Sequence, residues 1–221
     1  LKIEGGQLPE VEAKAGREGE PPGYVVVGAS TGGPAAIHYV IDHLPAAFSS
    51  PIAIAQHMPE GFTRPFAERL ARRTDREVRE ARDGDVLEPG LIVIAPGGTH
   101  LELAPGKGGV RCSLVAPKSD DRFVPSVDRL FVSAAKVLGE EVVGLVLTGM
   151  GNDGLAGARA IRGAGGTVLV ESEETAIVYG MPREVAEAGH ADRVLPLSAI
   201  PRALGSAGQA RARARRTRGK A

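Results

Sequence analysis

Three short segments hold the residues of this chain that can do chemistry. Gly28-Ala29-Ser30-Thr31-Gly32-Gly33 fits the pattern G-x-S-x-G, in which a sharp strand-to-helix turn exposes a serine hydroxyl. Glycines on both sides of the serine permit the tight turn and a close approach by substrate. Gln56-His57-Met58-Pro59 offers an imidazole, and Thr148-Gly149-Met150-Gly151-Asn152-Asp153-Gly154 is a glycine-rich loop that ends in a carboxylate. A serine becomes a nucleophile when a base lies within hydrogen-bond reach and a carboxylate holds that base in the right tautomer. Ser30, His57 and Asp153 are therefore a candidate set for acyl transfer. Each also has a plainer role open to it: Ser30 as a helix cap or phosphate-loop hydroxyl, His57 as a hydrogen-bonded loop histidine, Asn152 or Asp153 as a helix N-cap.

Other polar motifs compete less well. The order Ser30, His57, Asp153 is not the serine, acid, histidine order of lipase-type α/β-hydrolases, which disfavours that fold. Gly28-x-x-x-Gly32-Gly33 does not match G-x-G-x-x-G, and Gly106-Lys107-Gly108 lacks the Ser or Thr that a phosphate loop needs after its lysine. His100 follows Ala95-Pro96-Gly97-Gly98-Thr99 and can line the same edge as the other candidates, although starting a hairpin strand accounts for it equally. His38 and His43 fall inside the first helix, His190 lies in a late loop with no evident partner, and Cys112 reads as a small apolar filler in an alternating strand.

The elements that must position these residues are legible as apolar runs. YVVVG (24–28), PIAIAQ (51–56), LIVIAP (91–96), VVGLVLTG (142–149) and TVLVES (167–172) are short continuous runs suited to strands buried on both faces. Helical segments separate them: AAIHYVIDHL after Pro34, then roughly 63–73, 126–138, 155–162 and 182–188. THLEL and VRCSLV, flanking Pro105-Gly106-Lys107-Gly108-Gly109, predict a β-hairpin. The pattern predicts a single-domain, doubly wound α/β fold: a mostly parallel sheet, helices on both faces and the hairpin besides. In such a sheet ligands gather at the carboxyl ends of the strands, where Ser30, His57 and Asp153 all fall.

Composition narrows the function classes. Lys+Arg and Asp+Glu are equal at 27 each, so no overall field recruits nucleic acid. A single cysteine closes no intramolecular disulfide and, without paired Cys and His, builds no zinc module; no metal or organic cofactor is expected. No apolar run approaches the roughly 18 residues of a membrane span, and no secretory signal opens the chain, so a cytoplasmic setting without membrane insertion is expected. Residues 1–23 lack hydrophobic periodicity and read as a linker or disordered arm, 24–205 as the catalytic domain, and 206–221 as a basic disordered tail, with its Arg and Lys concentrated in 211–221. A first residue of Leu1 suggests a piece of a longer polypeptide or a processed terminus.

Taken together, VVVGASTGGPAAI, IAQHMPEGFTRPFAERL, IAPGGTHLEL, PSVDRLFVSAAKVLG, GLVLTGMGNDGLAG and YGMPREVAEAG resemble, in order, the catalytic domain of the chemotaxis protein-glutamate methylesterases, the CheB family. The resemblance runs from about Tyr24 to Leu204. It implies a serine hydrolase that demethylates glutamate γ-methyl esters on chemoreceptor cytoplasmic helices, releases methanol, and also deamidates receptor glutamines. It places the nucleophile at Ser30, the base at His57 and the orienting carboxylate at Asp153. It also puts Thr31 and Met150 where they help bind the oxyanion, Met150 through its backbone N–H. Family members usually carry an N-terminal phosphoreceiver domain that blocks the site until phosphorylated, and the residues before Tyr24 are too few to contain one. The resemblance thus implies the effector half alone, unregulated if a fragment and regulated by another polypeptide if complete.

Overall fold

Runs of Val, Ile and Ala form strands here because both faces of the sheet are covered, so neither parity of side chain has to be polar. A computed structural model describes residues 23–207; most of the expected N-terminal arm and the basic 211–221 tail lie outside the described residues. In chain order the elements are β1 (Tyr24–Ala29), α1 (Gly33–Asp42), β2 (Ile52–Gln56), α2 (Thr63–Ala71), β3 (Val78–Glu80), β4 (Ile92–Ile94), β5 (His100–Gly106), β6 (Gly109–Val115), α3 (Val127–Leu138), β7 (Val142–Val146), α4 (Leu155–Gly163), β8 (Thr167–Glu171), α5 (Met181–Glu187), β9 (Arg193–Leu195) and α6 (Ile200–Ala207). Seven strands form one sheet in the order β3-β4-β2-β1-β7-β8-β9, and every ladder in it is parallel. β5 and β6 pair antiparallel as the expected hairpin.

Alternate strand residues feed two cores. Val25, Val27, Ile52, Ile54 and Leu145 pack with α1, α2 and α6, while Val26, Ala53, Val93, Val146 and Val168 pack with α3, α4, α5 and the hairpin. α3 shows why these segments are helical. Ser126 caps its N-terminus by accepting from Arg129 N–H, and Val127, Leu130, Phe131, Ala134 and Leu138 recur at helical spacing to form its buried stripe. Burying each large side chain of that stripe contributes roughly 1.5–3 kcal/mol.

Three elements are not legible in the sequence: β3, β9 and α6. The two strands are the edges of the sheet, three residues long, with Arg79, Glu80 and Arg193 among them. An edge strand pairs on one side only, and charge on it blocks further pairing, so it lacks the apolar run that marks a central strand. The apolar run 142–149 also overshoots its strand. The β7 ladder stops at Val146, and the chain stays beside β1 only through Leu147 N–H to Gly28 O (2.9 Å) and Ser30 N–H to Thr148 O (3.0 Å).

β1 has β2 on one side and β7 on the other, and the chain reaches β7 only after crossing to the opposite face of the sheet. That reversal opens a crevice at the carboxyl ends of β2, β1 and β7. One glycine lets α3 enter it. A Cβ on Gly28 would sit 2.2 Å from Val127 Cγ1, and Val127 is itself fully buried and β-branched. Gly28→Ala is therefore expected to push the α3 N-terminus away from β1, lowering stability by about 1–3 kcal/mol in a urea titration.

Candidate active site

Ser30 and His57 are neighbours by strand register. Ala29 pairs with Gln56 in the β1–β2 ladder, and His57 N–H continues it by donating to Ala29 O at 2.9 Å. The next step along the two strand ends places Ser30 beside His57, on strands that run roughly 4.8 Å apart. Gln56 ties the two together. Its buried Nε2 donates to Ser30 O (2.9 Å) and to His57 O (3.0 Å). The Ser30 hydroxyl makes no hydrogen bond among the described residues.

Asp153 arrives from the β7–α4 loop and closes the set. Its Oδ2 lies 2.7 Å from His57 Nε2. It is 3% exposed and accepts three further hydrogen bonds, all from the start of α3: Ser126 Oγ (3.0 Å), Val127 N–H (2.7 Å) and Asp128 N–H (2.8 Å). Burial pushes this carboxyl up, but the bonds from His57 and from the Asp128 and Val127 amides outweigh it and hold Asp153 below the ordinary carboxylate range. With Nε2 held by the carboxylate, Nδ1 is the ring nitrogen left to act as a base. Phe123 stacks on the imidazole at 4.8 Å and 6°, and the Arg122 guanidinium lies over the Phe123 ring at 5.2 Å.

The N-cap reading of Asp153 and the triad reading prove compatible. Its carboxylate does cap a helix, though α3 rather than the α4 that follows it in sequence. The α4 cap comes from the other side. Asp128 Oδ1, in the first turn of α3, accepts from Gly154 N–H (2.9 Å) and Gly157 N–H (2.7 Å). α4 thus takes its cap from the start of α3, and α3 adds Asp153 to its own Ser126 cap. The exchange needs the helices to touch, and Gly157 permits it, since a Cβ there would meet Phe131 Cβ at 2.4 Å.

Burial, followed by the negative charge of Asp153, pushes the Asp128 carboxyl up. A carboxylate raised in the folded state adds stability as pH falls through its folded value, so its ionised form is a net burden at neutral pH. Asp128→Asn keeps a carbonyl oxygen for both amides and removes the charge. It is expected to be at least as stable as the parent at pH 7, whereas Asp128→Ala, which uncaps α4, loses about 0.5–2 kcal/mol in chemical denaturation.

Thr148 holds the turn that carries Ser30. Its carbonyl accepts from Ser30 N–H (3.0 Å), its hydroxyl donates to Thr31 O (2.9 Å) and accepts from Val178 N–H (2.9 Å), and its own amide donates to Glu171 (2.8 Å). Glu171 is fully buried, and that burial raises its carboxyl above the usual range. The N–H groups of Thr31 and Met150 donate to no acceptor among the described residues, and Met150 is 72% exposed at the rim. Met150 also lines a cleft of about 510 Å³, wide open to solvent, together with Arg122, Asn152, Tyr179 and Arg183.

The chain is similar to known proteins over nearly all of this framework. The model of the CheB methylesterase family matches residues 25–204. The chain belongs to the CheB methylesterase family. It is 48% identical over 180 residues to protein-glutamate methylesterase/protein-glutamine glutaminase 3 of Geobacter sulfurreducens, covering 81% of this chain and 48% of that one. It is 50% identical over 186 residues to protein-glutamate methylesterase/protein-glutamine glutaminase 1 of Myxococcus xanthus, covering 84% and 54%. The chain therefore spans about half the length of these curated relatives. The crystal structure of the Thermotoga maritima CheB methylesterase catalytic domain superposes with a TM-score of 0.80 at 42% identity, covering 84% of this chain and 98% of that one. The doubly wound, mostly parallel fold expected from sequence is the fold of this family's catalytic domain.

Of the residues singled out from sequence, Ser30, His57 and Asp153 converge in the crevice, with Thr31 and Met150 at its edge. Cys112 is buried in β6, where burial pushes its thiol up to about 12, so it carries no thiolate chemistry. His38 lies within α1, and His43, stacked on Tyr39 at 4.0 Å, closes that helix. His100 begins β5 as expected, but its ring is fully buried and bonded at both nitrogens. Sequence reasoning missed Gln56, Phe123, Ser126, Asp128, Thr148 and Glu171. Ser126-Val127-Asp128 before an apolar helix was a visible N-cap signal; nothing local marked that its donors face Asp153. Among the described residues no cluster of three or more His, Cys, Asp or Glu is placed to hold a metal, and no helix is long and apolar enough to cross a membrane.

Proposed function

We propose that this chain is the catalytic part of a protein-glutamate methylesterase, a serine hydrolase acting on γ-methyl esters of glutamate in chemoreceptor cytoplasmic helices. The observation that carries the reading is the His57 Nε2 to Asp153 Oδ2 pair at 2.7 Å, one strand from Ser30. His57 Nδ1 takes the Ser30 proton as Oγ attacks the ester carbonyl. The tetrahedral oxyanion accepts hydrogen bonds from the unengaged N–H groups of Thr31 and Met150. As the intermediate collapses, the same ring proton passes to the methoxide, which leaves as methanol. Water, deprotonated by His57, then attacks the acyl-enzyme and frees the glutamate side chain. Asp153 remains ionised throughout and stabilises the imidazolium. Deamidation of glutamine follows the same route with ammonia as leaving group.

An open cleft rimmed by exposed Met150 favours a protein helix over a small ester, which would be better served by a deep enclosed pocket. Adaptation of a chemosensory pathway is the setting this implies, with a phosphoreceiver domain as regulatory partner and the cytoplasm as location. Methanol release from a methylated chemoreceptor signalling domain tests the reading. Turnover there, well above that on glutamate γ-methyl ester alone, is expected. A folded chain that hydrolyses neither receptor nor simple esters would instead be a binding module, and the hydrolase reading would be lost.

A further inference from the structure

The polar network around Asp153 does not stop at α3. Ser126, whose hydroxyl donates to Asp153 Oδ1, also donates its backbone N–H to His100 Nδ1 at 3.1 Å. A ring nitrogen that accepts an amide proton carries none of its own, so the proton of the neutral ring sits on Nε2. That nitrogen meets Asp121 Oδ2 at 2.9 Å. Asp121 is in turn held by the Lys118 amide (2.7 Å) and by Arg129 (3.4 Å), and Arg129 also pairs with Glu102 at 2.8 Å.

We infer that His100 is a positioning residue for the Ser30, His57 and Asp153 set, acting through Ser126. The inference rests on the hydrolase reading above. Its physical basis is the geometry of the α3 start. Three of the four hydrogen bonds to Asp153 come from Ser126, Val127 and Asp128, so the place of the carboxylate is the place of that helix turn. Ser126 is the N-cap, with extended backbone (φ −96, ψ 132), and its hydroxyl serves both Asp153 and the Arg129 amide. Nothing in the helix can hold the Ser126 amide, because it points back from the cap. His100 supplies that anchor from the opposite element, the first residue of β5. His100 is fully buried, so its removal without a replacement acceptor leaves the Ser126 amide away from bulk water. A displacement of the turn moves Asp153, and with it the ring it orients. Misplacement on the order of 1 Å in such a site costs roughly 10²-fold in rate.

The test compares His100→Leu with His100→Asn in the full chain, by steady-state methanol release and by the ¹H resonance of the His57 Nε2 proton. That proton, shared with Asp153, resonates far downfield and reports the pair without substrate. His100→Leu is expected to lower kcat by about 10- to 100-fold with KM changed less than about twofold, and to shift the resonance upfield or lose it. His100→Asn retains a side-chain carbonyl that can accept the Ser126 amide, and is expected to restore most of both. An unshifted resonance with parental kcat in His100→Leu overturns the inference, as does failure of His100→Asn to restore either. Should His100→Leu not fold, His100→Met, which likewise offers the Ser126 amide no oxygen or ring nitrogen, must show the same upfield shift; an unchanged resonance there also overturns it. If the parent hydrolyses no ester at all, the functional reading fails, while the resonance still decides whether His100 positions the pair.

Discussion

Ser30→Ala is expected to lower ester turnover by about 10⁴- to 10⁶-fold and to leave stability within about 0.5 kcal/mol of the parent. The two halves of this expectation have separate causes. Turnover depends on Ser30 Oγ, since the neighbouring Ser126 and Thr148 hydroxyls are already donating to Asp153 and to Thr31 O, and Cys112 is buried with its thiol pushed up. Stability depends on the backbone of the turn. Ser30 N–H donates to Thr148 O, and its carbonyl accepts from Gly33 N–H and Gln56 Nε2, all of which an alanine retains. The hydroxyl itself holds nothing in place. Methanol release and calorimetry on the same preparation check both halves. Residual activity above about a tenth of the parent would remove the serine nucleophile from the mechanism. A large drop in melting temperature would mean the turn depends on the hydroxyl after all.

Asp153→Asn is expected to damage both activity and stability. The amide must put its NH₂ either in the place of Oδ2, facing His57 Nε2–H and the Val127 amide, or in the place of Oδ1, facing Ser126 Oγ–H and the Asp128 amide. If it faces His57, the ring proton moves to Nδ1 and the base is lost, a tautomer reversal that costs about 10⁴-fold in kcat. If it faces the helix, two donors oppose each other at a buried site and about 1–3 kcal/mol of stability goes. The acid limb of stability separates this residue from Asp128 and Glu171. Asp153 is held below the ordinary carboxylate range, so its contribution is fully present above the pKa of the unfolded chain. It is lost as pH falls through the lowered folded value. Asp128 and Glu171 are raised, so their protonation favours the folded state as pH falls through those raised values. Stability should therefore hold or rise on mild acidification and fall below about pH 4. In Asp153→Asn that final fall becomes shallower, as urea titrations across pH 3–7 can establish.

The fold was legible where its physics is local. A strand buried on both faces must be apolar at every position, and β1, β2, β4, β7 and β8 were all read from that run alone. Pro34 and Pro182 sit in the first turns of α1 and α5, where a missing amide proton goes unmissed. β3, β9 and α6 escaped because edge strands and a short terminal helix draw their stability from what they pack on. β9, for instance, is mostly exposed, and its pairing with β8 is what marks it as a strand.

The site divides along the same line. Amino-acid sequence by itself determined which groups stand at strand ends: Ser30 in a glycine turn, His57 after β2, Asp153 after β7. That follows from alternation of apolar runs and loops, a property of neighbours along the chain. Only the tertiary structure decided what these groups are to one another. Asp153 lies 96 residues from His57 and is fixed by the start of α3, a segment adjacent to it in space alone. Gln56, Thr148 and His100 gained their roles in the same way, through hydrogen bonds spanning 26, 117 and 26 residues. Hydrogen bonds act over about 3 Å in space, so their partners are set by how the helices cross the sheet and by the Gly28 and Gly157 contacts that let them come close.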